Sequence, residues 1–339
     1  MRKLGLDGFV KGMLTSKRVA LLAIAVVIAL APGTALAPAR AESNSAAAAA
    51  LERQSFQLRE GDAANLYMRM QEQGVDDGLF EMTSRYKVVA VKSSAPQPGG
   101  KKYFIRFQVT DMRHSIITPS AVNRQLLIDV FSNIELRLNE DLRGEEVFNW
   151  GEIVARFEAL KAKVGEQSKA NALKLELIAA MYMQPEFWKA TMNPVFDMQK
   201  GRWERRADKF YARVEYQVPG NALMQGGAKI LGEREMTPVK LEAGRVTVHF
   251  KTVFDTSDMR KKFMDSPLGK ALQSFKKPGE PDPVFNLTMQ DEGVTLFNAA
   301  DGWVEKTAGR LTVSSDIDGK KAKTRVVTTG FSQQRTPAW

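Results

Sequence analysis

Leu126-Leu127-Ile128-Asp129-Val130-Phe131-Ser132-Asn133-Ile134-Glu135-Leu136-Arg137-Leu138 carries the clearest period-two pattern in the chain. Leu126, Ile128, Val130, Ile134, Leu136 and Leu138 share one parity, interrupted by Ser132. The other parity holds Asp129, Asn133, Glu135 and Arg137, with Leu127 and Phe131. Alternation of this kind predicts one strand over 126–138 with a buried face and a mostly wet face. Burying six such side chains contributes roughly 12 kcal/mol gross. Ordering the backbone of the same stretch costs a similar amount. The strand is therefore stable only inside a sheet that something covers.

The neighbouring text supplies both sheet and cover. Residues 79–92 and 102–116 alternate or are rich in β-branched residues, and 93–100 between them reads as a loop. Downstream, Ile153, Val154, Phe157, Leu160 and Val164 form a helical stripe. A second helix is predicted over 168–182, with Leu173, Leu177, Ile178 and Met181 inward. Pro185 opens a short helix through Trp188 and Met192, which Asn193-Pro194 is expected to end. Further strands are predicted near 208–218, 227–236, 244–254, 283–298, 302–314 and 323–331. Asp301-Gly302 and Asp318-Gly319 read as hairpin turns. Residues 257–277 form an amphipathic helical insertion, with Ser257 as cap and Met259, Phe263, Leu268, Leu272 and Phe275 on its apolar side. The fold class expected is α+β: a curved antiparallel sheet, half-barrel-like, packed against a central helical segment. Residues 54–339 are read as one domain, β-rich over 54–140, helical over 149–192 and β-rich again over 208–331.

Residues 1–37 read as an export signal. Arg2, Lys3, Lys11, Lys17 and Arg18 stand against one acidic residue, Asp7. Val19 to Ala31 is uncharged, Pro32-Gly33 breaks the run, and Ala35-Leu36-Ala37 provides a small-x-small cleavage pattern after Ala37. Ala39-Arg40-Ala41 offers an alternative after Ala41. The apolar run is shorter than the ~20 residues a bilayer span needs, although retention of Val19–Ala37 as an anchor is the competing reading. Residues 38–53, with Ala46 to Ala50, read as a small-residue leader, a spacer whose alanines can start a short helix. The full chain of 339 residues carries +10 and no Cys. Removing 1–37 takes away five basic and one acidic group, leaving +10 − 4 = +6. That balance gives no nucleic-acid footprint. Without Cys there is no lipoprotein anchor, disulfide or thiolate site, so the expected location is periplasmic or secreted, in soluble form.

Chemistry is sparse. The two His, His114 and His249, lie on parities with polar residues and read as strand-surface residues. No Gly-x-Ser-x-Gly elbow occurs. Ser274-Phe275-Lys276-Lys277 has Ser-x-x-Lys spacing but lacks the companion motifs of penicillin-interacting enzymes. Asp316-Ile317-Asp318-Gly319 is an incomplete calcium loop. No catalytic residue, metal ligand or cofactor site is nominated. Helix 257–277 carries Arg260, Lys261, Lys262, Lys270, Lys276 and Lys277 against Asp258 and Asp265, a local +4 suited to an anionic surface or to a lid. Phe187, Trp188, Trp203 and Tyr211 cluster near the start of the second β-rich half and read as core.

The order of these features, with Asn149-Trp150-Gly151 heading a helix and Asp301-Gly302-Trp303-Val304 in the closing strands, resembles secreted bacterial β-rich proteins grouped as domains of unknown function. That resemblance implies an exported β-rich protein and no activity. A more distant likeness, of shape only, is to the half-barrels of periplasmic lipoprotein carriers. The function expected is a non-enzymatic envelope protein binding an apolar or lipid-like ligand. Its groove would involve Leu126, Ile128, Val130, Ile134, Leu136, Phe263 and Phe275. The alternatives are an envelope-polymer hydrolase using an unrecognised carboxylate pair, and a structural or assembly partner of another envelope protein.

Overall fold

The computed structural model describes residues 43–53, 56–73, 79–94, 99–114, 121–165, 182–197, 203–218, 228–265, 285–317, 320–321 and 324–337. The export signal with Ala37 and Ala41, helix 168–181, the Ser274–Lys277 motif, Phe275 and the Asp318-Gly319 turn lie outside these residues.

The first half runs α1 (Ser45–Glu52), β1 (Ala63–Glu72), β2 (Leu79–Ser94), β3 (Gly99–His114), α2 (Ala121–Val130), β4 (Ile134–Leu138), β5 (Gly144–Val147), α3 (Trp150–Gly165) and α4 (Pro185–Asp197). The second half runs β6 (Glu204–Arg206), β7 (Lys209–Val218), β8 (Ala228–Glu242), β9 (Arg245–Asp255), α5 (Ser257–Asp265), β10 (Phe285–Asn298), β11 (Val304–Ile317), β12 (Lys320–Lys321) and β13 (Arg325–Arg335). The strands form one antiparallel sheet in the order β5-β4-β3-β2-β1-β13-β11-β10-β9-β8-β7-β6, with β12 paired to β11 beside that path. Two meanders, one from each half, are thus joined along the β1–β13 pair.

The sheet is open but curled. Helix α4 packs against both β5, at one edge, and β7, next to the other edge. Laid flat, those strands would be separated by ten inter-strand steps, or about 48 Å. A helix of 13 residues is only about 20 Å long. The sheet must bend to bring both under one helix. The approach to β5 is close: a Cβ on Gly144 would lie 2.6 Å from the Lys189 carbonyl oxygen. On the other meander, a Cβ on Gly293 would fall onto the Ala308 carbonyl, opposite Gly309. There the bare backbones of β10 and β11 press together.

Alternation explains the strands. Ala64 and Leu66 of β1, Met82 and Tyr86 of β2, and Ile105 and Phe107 of β3 are all buried and in register. Their opposite-parity neighbours Tyr67, Arg69, Glu81 and Arg106 face out, with Tyr67 donating to Glu81 at 2.9 Å. The Asp301-Gly302 turn sits between β10 and β11 as expected, with Gly302 at φ 73 and Trp303 N–H donating to Asp301 Oδ1 at 3.0 Å. Asn149 caps α3. Its carbonyl accepts from Ile153, and its side chain bridges Glu135 N–H and the Asn133 carbonyl at 2.9 and 3.0 Å.

Three expectations need correction. The strand over 126–138 is instead α2, a turn and β4. Leu127, Val130 and Phe131, at helical spacing, are 1%, 2% and 0% exposed, so the helical period wins up to residue 130. The interruption, Ser132, is where the helix ends, its hydroxyl donating to the Asp129 carbonyl. The alanine spacer within 38–53 is the packed helix α1, capped by Asn44, with Ala47, Ala48, Ala50 and Leu51 buried against β8 and β9. Small side chains let it lie close to the sheet. Finally, Asn193-Pro194 does not end α4, which continues to Asp197. Phe196 is fully buried against the Tyr86 ring, centroids 5.6 Å apart. That packing offsets the cost of a proline inside a helix, about 3 kcal/mol.

Candidate functional site

The buried side chains of the concave face fall into two packed groups, a first and a second chamber of the interior. The first lies over β1–β4 and is filled by the chain's own rings. Trp188 sits 4.6 Å from Phe131 and 6.1 Å from Phe107, and its Nε1 donates to the Tyr182 carbonyl at 2.9 Å. Phe187 packs edge-on against both Trp188 and Tyr182. The main apolar cluster is continuous from here through Phe210, Met236 and Phe250.

The second chamber lies over the outer half of the second meander. Val214, Ile230, Phe254, Leu287, Met289 and Val313 are buried there, yet stand outside the main cluster. Gly232 is required by this packing. A Cβ on it would meet the Phe254 ring at 2.9 Å and Val214 at 3.0 Å. Helix α5 packs across β8 and β10 above the chamber, tethered where the Thr256 hydroxyl donates to the Leu287 carbonyl at 2.5 Å. Asp255 Oδ1 accepts the Ser257 N–H at 2.9 Å and starts the helix.

A polar belt crosses the concave face at the border. Arg234 on β8, Thr252 on β9 and Asp291 on β10 are direct cross-strand neighbours. Arg234 Nε donates to Thr252 Oγ1 at 2.8 Å, and its guanidinium lies 4.8 Å from the Phe250 ring centroid. Its Nη2 is 3.5 Å from Asp291 Oδ2, with side chains 5% and 0% exposed. At that separation Arg234 is a charge neighbour rather than a hydrogen-bond donor. Neither Asp291 carboxylate oxygen has a hydrogen-bond partner. Burial pushes its carboxyl up to about 6, with Arg234 pulling in the opposite direction. A sheet interior has no structural need of such a pair, because well-packed apolar residues are often as stable or more so. The partner of Asp291 is a guanidinium, not a second carboxylate.

No protein-family model and no curated protein matches the chain. Among solved structures, one similar to it is a protein with a YmcC-like fold from Bacteroides fragilis, thought to be exported. It shares 10% identity at a TM-score of 0.23, covering 84% of this chain and 99% of that one. A likeness at that score carries no argument about fold or role.

The residues expected to line one groove are divided. Leu126, Ile128 and Val130 lie on α2, and Ile134 and Leu136 on β4, all in the first half. Val130, Ile134 and Leu136 are buried in the first chamber. Phe263 belongs to α5 over the second chamber, with its side chain outside the described residues. The proposed aromatic cluster also divides: Phe187 and Trp188 serve the first chamber, Trp203 packs on Phe210 and Phe297, and Tyr211 lies under Arg206. His249 is half-buried on the wetter face of β9, its pKa lowered by that burial. No group of three His, Asp or Glu among the described residues is placed to hold a metal ion. No helix among them is long and apolar enough to cross a membrane.

The belt was missed by sequence reasoning, though a signal existed. Arg234 shares parity with Ile230 and Met236, and Asp291 with Leu287, Met289 and Phe297. A charge on the apolar parity of each of two strands marks a buried pair.

Proposed function

We propose that the chain is an exported, non-enzymatic binding protein of the bacterial envelope, soluble after removal of residues 1–37, that carries an apolar or lipid-like ligand. The supporting observation is the second group of buried apolar side chains on the concave face, separate from the main core, bordered by a desolvated ion pair and covered by α5, whose movement would open it to a ligand. The curled sheet with helices on its concave side acts as a half-barrel in this reading, and α5 is the cover. The chamber replaces the groove drawn from Leu126 to Leu136, because those side chains are consumed by packing in the first chamber. Phe263 remains in the reading through its place on α5.

The test is native mass spectrometry of the protein purified from the envelope fraction without detergent, with solvent extraction of the same sample. The expected result is a bound amphiphile lost on denaturation. Ligand-free protein that also fails to take up the apolar dye N-phenyl-1-naphthylamine would overturn the reading.

A further inference from the structure

We infer that the outer face of the sheet carries a binding cleft for an acidic oligosaccharide, at the end where β9, β10, β11 and β13 meet the Asp301-Gly302 turn. The cleft measures about 550 Å³, within the range that holds small ligands. Its floor is set by register. Leu296, Lys306 and Ser332 stand abreast on β10, β11 and β13, on the parity opposite to the buried Phe297, Thr307 and Phe331. Its wall comes from a bulge. Leu296 pairs with Lys306 and Phe297 with Val304, so Glu305 is the extra residue. Bulges re-aim the side chain they carry, and here Glu305 Oε2 accepts from Nε of Arg245 at 2.6 Å. At the rim, Arg335 is held by Asp301 at 2.6 Å, and its guanidinium lies 4.3 Å from the centroid of the Trp303 ring.

The polar groups suit a sugar. A hydroxyl both donates and accepts, and a fixed guanidinium–carboxylate pair offers an acceptor and spare donors side by side. The cleft is bordered by two such pairs, Arg245 with Glu305 and Arg335 with Asp301. The Ser332 hydroxyl and the Gln334 amide add to them. Leu296 and the stems of the arginines give the C–H face of a ring an apolar seat. The charge selects the kind of sugar. Both pairs are internally balanced, whereas Lys306 is exposed and, among the described residues, has no carboxylate partner. One uncompensated ammonium matches one carboxylate per ring. A phosphate calls for a bidentate guanidinium or more positive charge, and both guanidinium groups here are engaged. A second hollow, of about 470 Å³, shares Arg245 and Glu305 with the first and extends over Ala243, Gly244, Ala299 and Ala300. These small residues leave room for a further sugar unit, so the ligand is a chain rather than a single sugar. The site goes beyond the carrier reading and uses neither chamber of the concave face.

The test titrates the isotope-labelled protein with trigalacturonate, a hyaluronan tetrasaccharide and neutral maltotriose, followed by amide chemical shifts in NMR spectra. At least one acidic oligosaccharide is expected to bind about tenfold more tightly than maltotriose, the worth of one hydrogen bond to a charged group. The shifts should centre on Leu296, Lys306 and Ser332. This preference is read first on the wild-type protein and so does not depend on any variant folding. Lys306→Gln should remove most of the preference while leaving maltotriose binding as it was. Glu305→Gln, which releases Arg245, should weaken acidic and neutral ligands alike. Binding of neither acidic oligosaccharide, equal binding of acidic and neutral ones, a preference that survives Lys306→Gln, or shifts centred elsewhere overturns the inference. So does displacement of the acidic oligosaccharide by an equal concentration of sulfate, which would make the cleft a site for an adventitious ion only. The carrier reading stands or falls separately, on dye uptake.

Discussion

The two chambers of one concave face are built on opposite terms. The first is sealed by the chain itself: Trp188, Phe131, Tyr182 and Phe196 are buried to within 2%, and the indole N–H is satisfied internally. The second is lined mainly by aliphatic and Met side chains, under a helix of nine residues, and ends on a carboxylate whose oxygens lack donors. A fold that can complete its interior in one half has the means to do so in the other. The difference teaches where the interior is least satisfied, at the Asp291 carboxylate of the second chamber.

The largest effects come from breaking each chamber at its centre. Trp188→Ala should cost about 3–5 kcal/mol through the cavity it leaves. Asp291→Leu should cost up to about as much, by removing the carboxylate that balances the buried Arg234 charge. The two differ in rescue. The double variant Arg234→Met/Asp291→Leu should return to within about 1 kcal/mol of wild type or exceed it, whereas no single partner repairs the loss of Trp188. Urea unfolding of the four proteins measures this; a double variant no better than Asp291→Leu would mean the pair is structurally required.

The next effect is a pH dependence peculiar to the second chamber. The Asp291 carboxyl is raised from 3.8 to about 6 in the folded protein. Between those values the folded state holds a proton that the unfolded state has released. Stability from this group therefore falls as pH rises from about 4 to 6, by on the order of 3 kcal/mol, and is level above that. Asp291→Asn should remove that component. Chemical denaturation of both proteins across the window reads the difference, and parallel curves would refute it.

A smaller change, Gly232→Ala, crowds Phe254 and Val214 and should cost about 1–3 kcal/mol while reducing dye uptake, with the tryptophan environment of the first chamber unchanged. The smallest lies outside both chambers. Ala243 turns the β8–β9 hairpin at φ 48, beside Gly244 at φ 71. Ala243→Asn suits that left-handed conformation and should raise stability by about 0.4–1 kcal/mol, leaving ligand binding as it was.

Most strands were legible because their alternation has one reading. Residues 126–138 had two, since Leu127, Val130 and Phe131 satisfy a helix while Ile134, Leu136 and Leu138 satisfy a strand. Local pattern does not choose between them; packing against β3 and Trp188 does. The same holds for Ala46–Ala50, where low hydrophobic bulk looked like a spacer and proved to be a means of close approach. Pro194 likewise yields to Phe196, a contact made with Tyr86 more than a hundred positions away in the chain. The belt was written in the parities of β8 and β10, but only their common register with β9 turns two isolated charges into a pair.

The seam between the meanders also bears on how the molecule comes to exist. Leu66 of β1 is registered with Gln333, and Met70 with Thr329, so this pairing closes a loop of nearly the whole chain. Such long-range pairing is slow to form. Until β13 has been made, β1 and β11 each present a long unpaired edge, open to wrong partners. A polypeptide in that condition stays threadable, as the export proposed above requires. The same open edges leave it most prone to wrong pairing until its last long strand closes the seam.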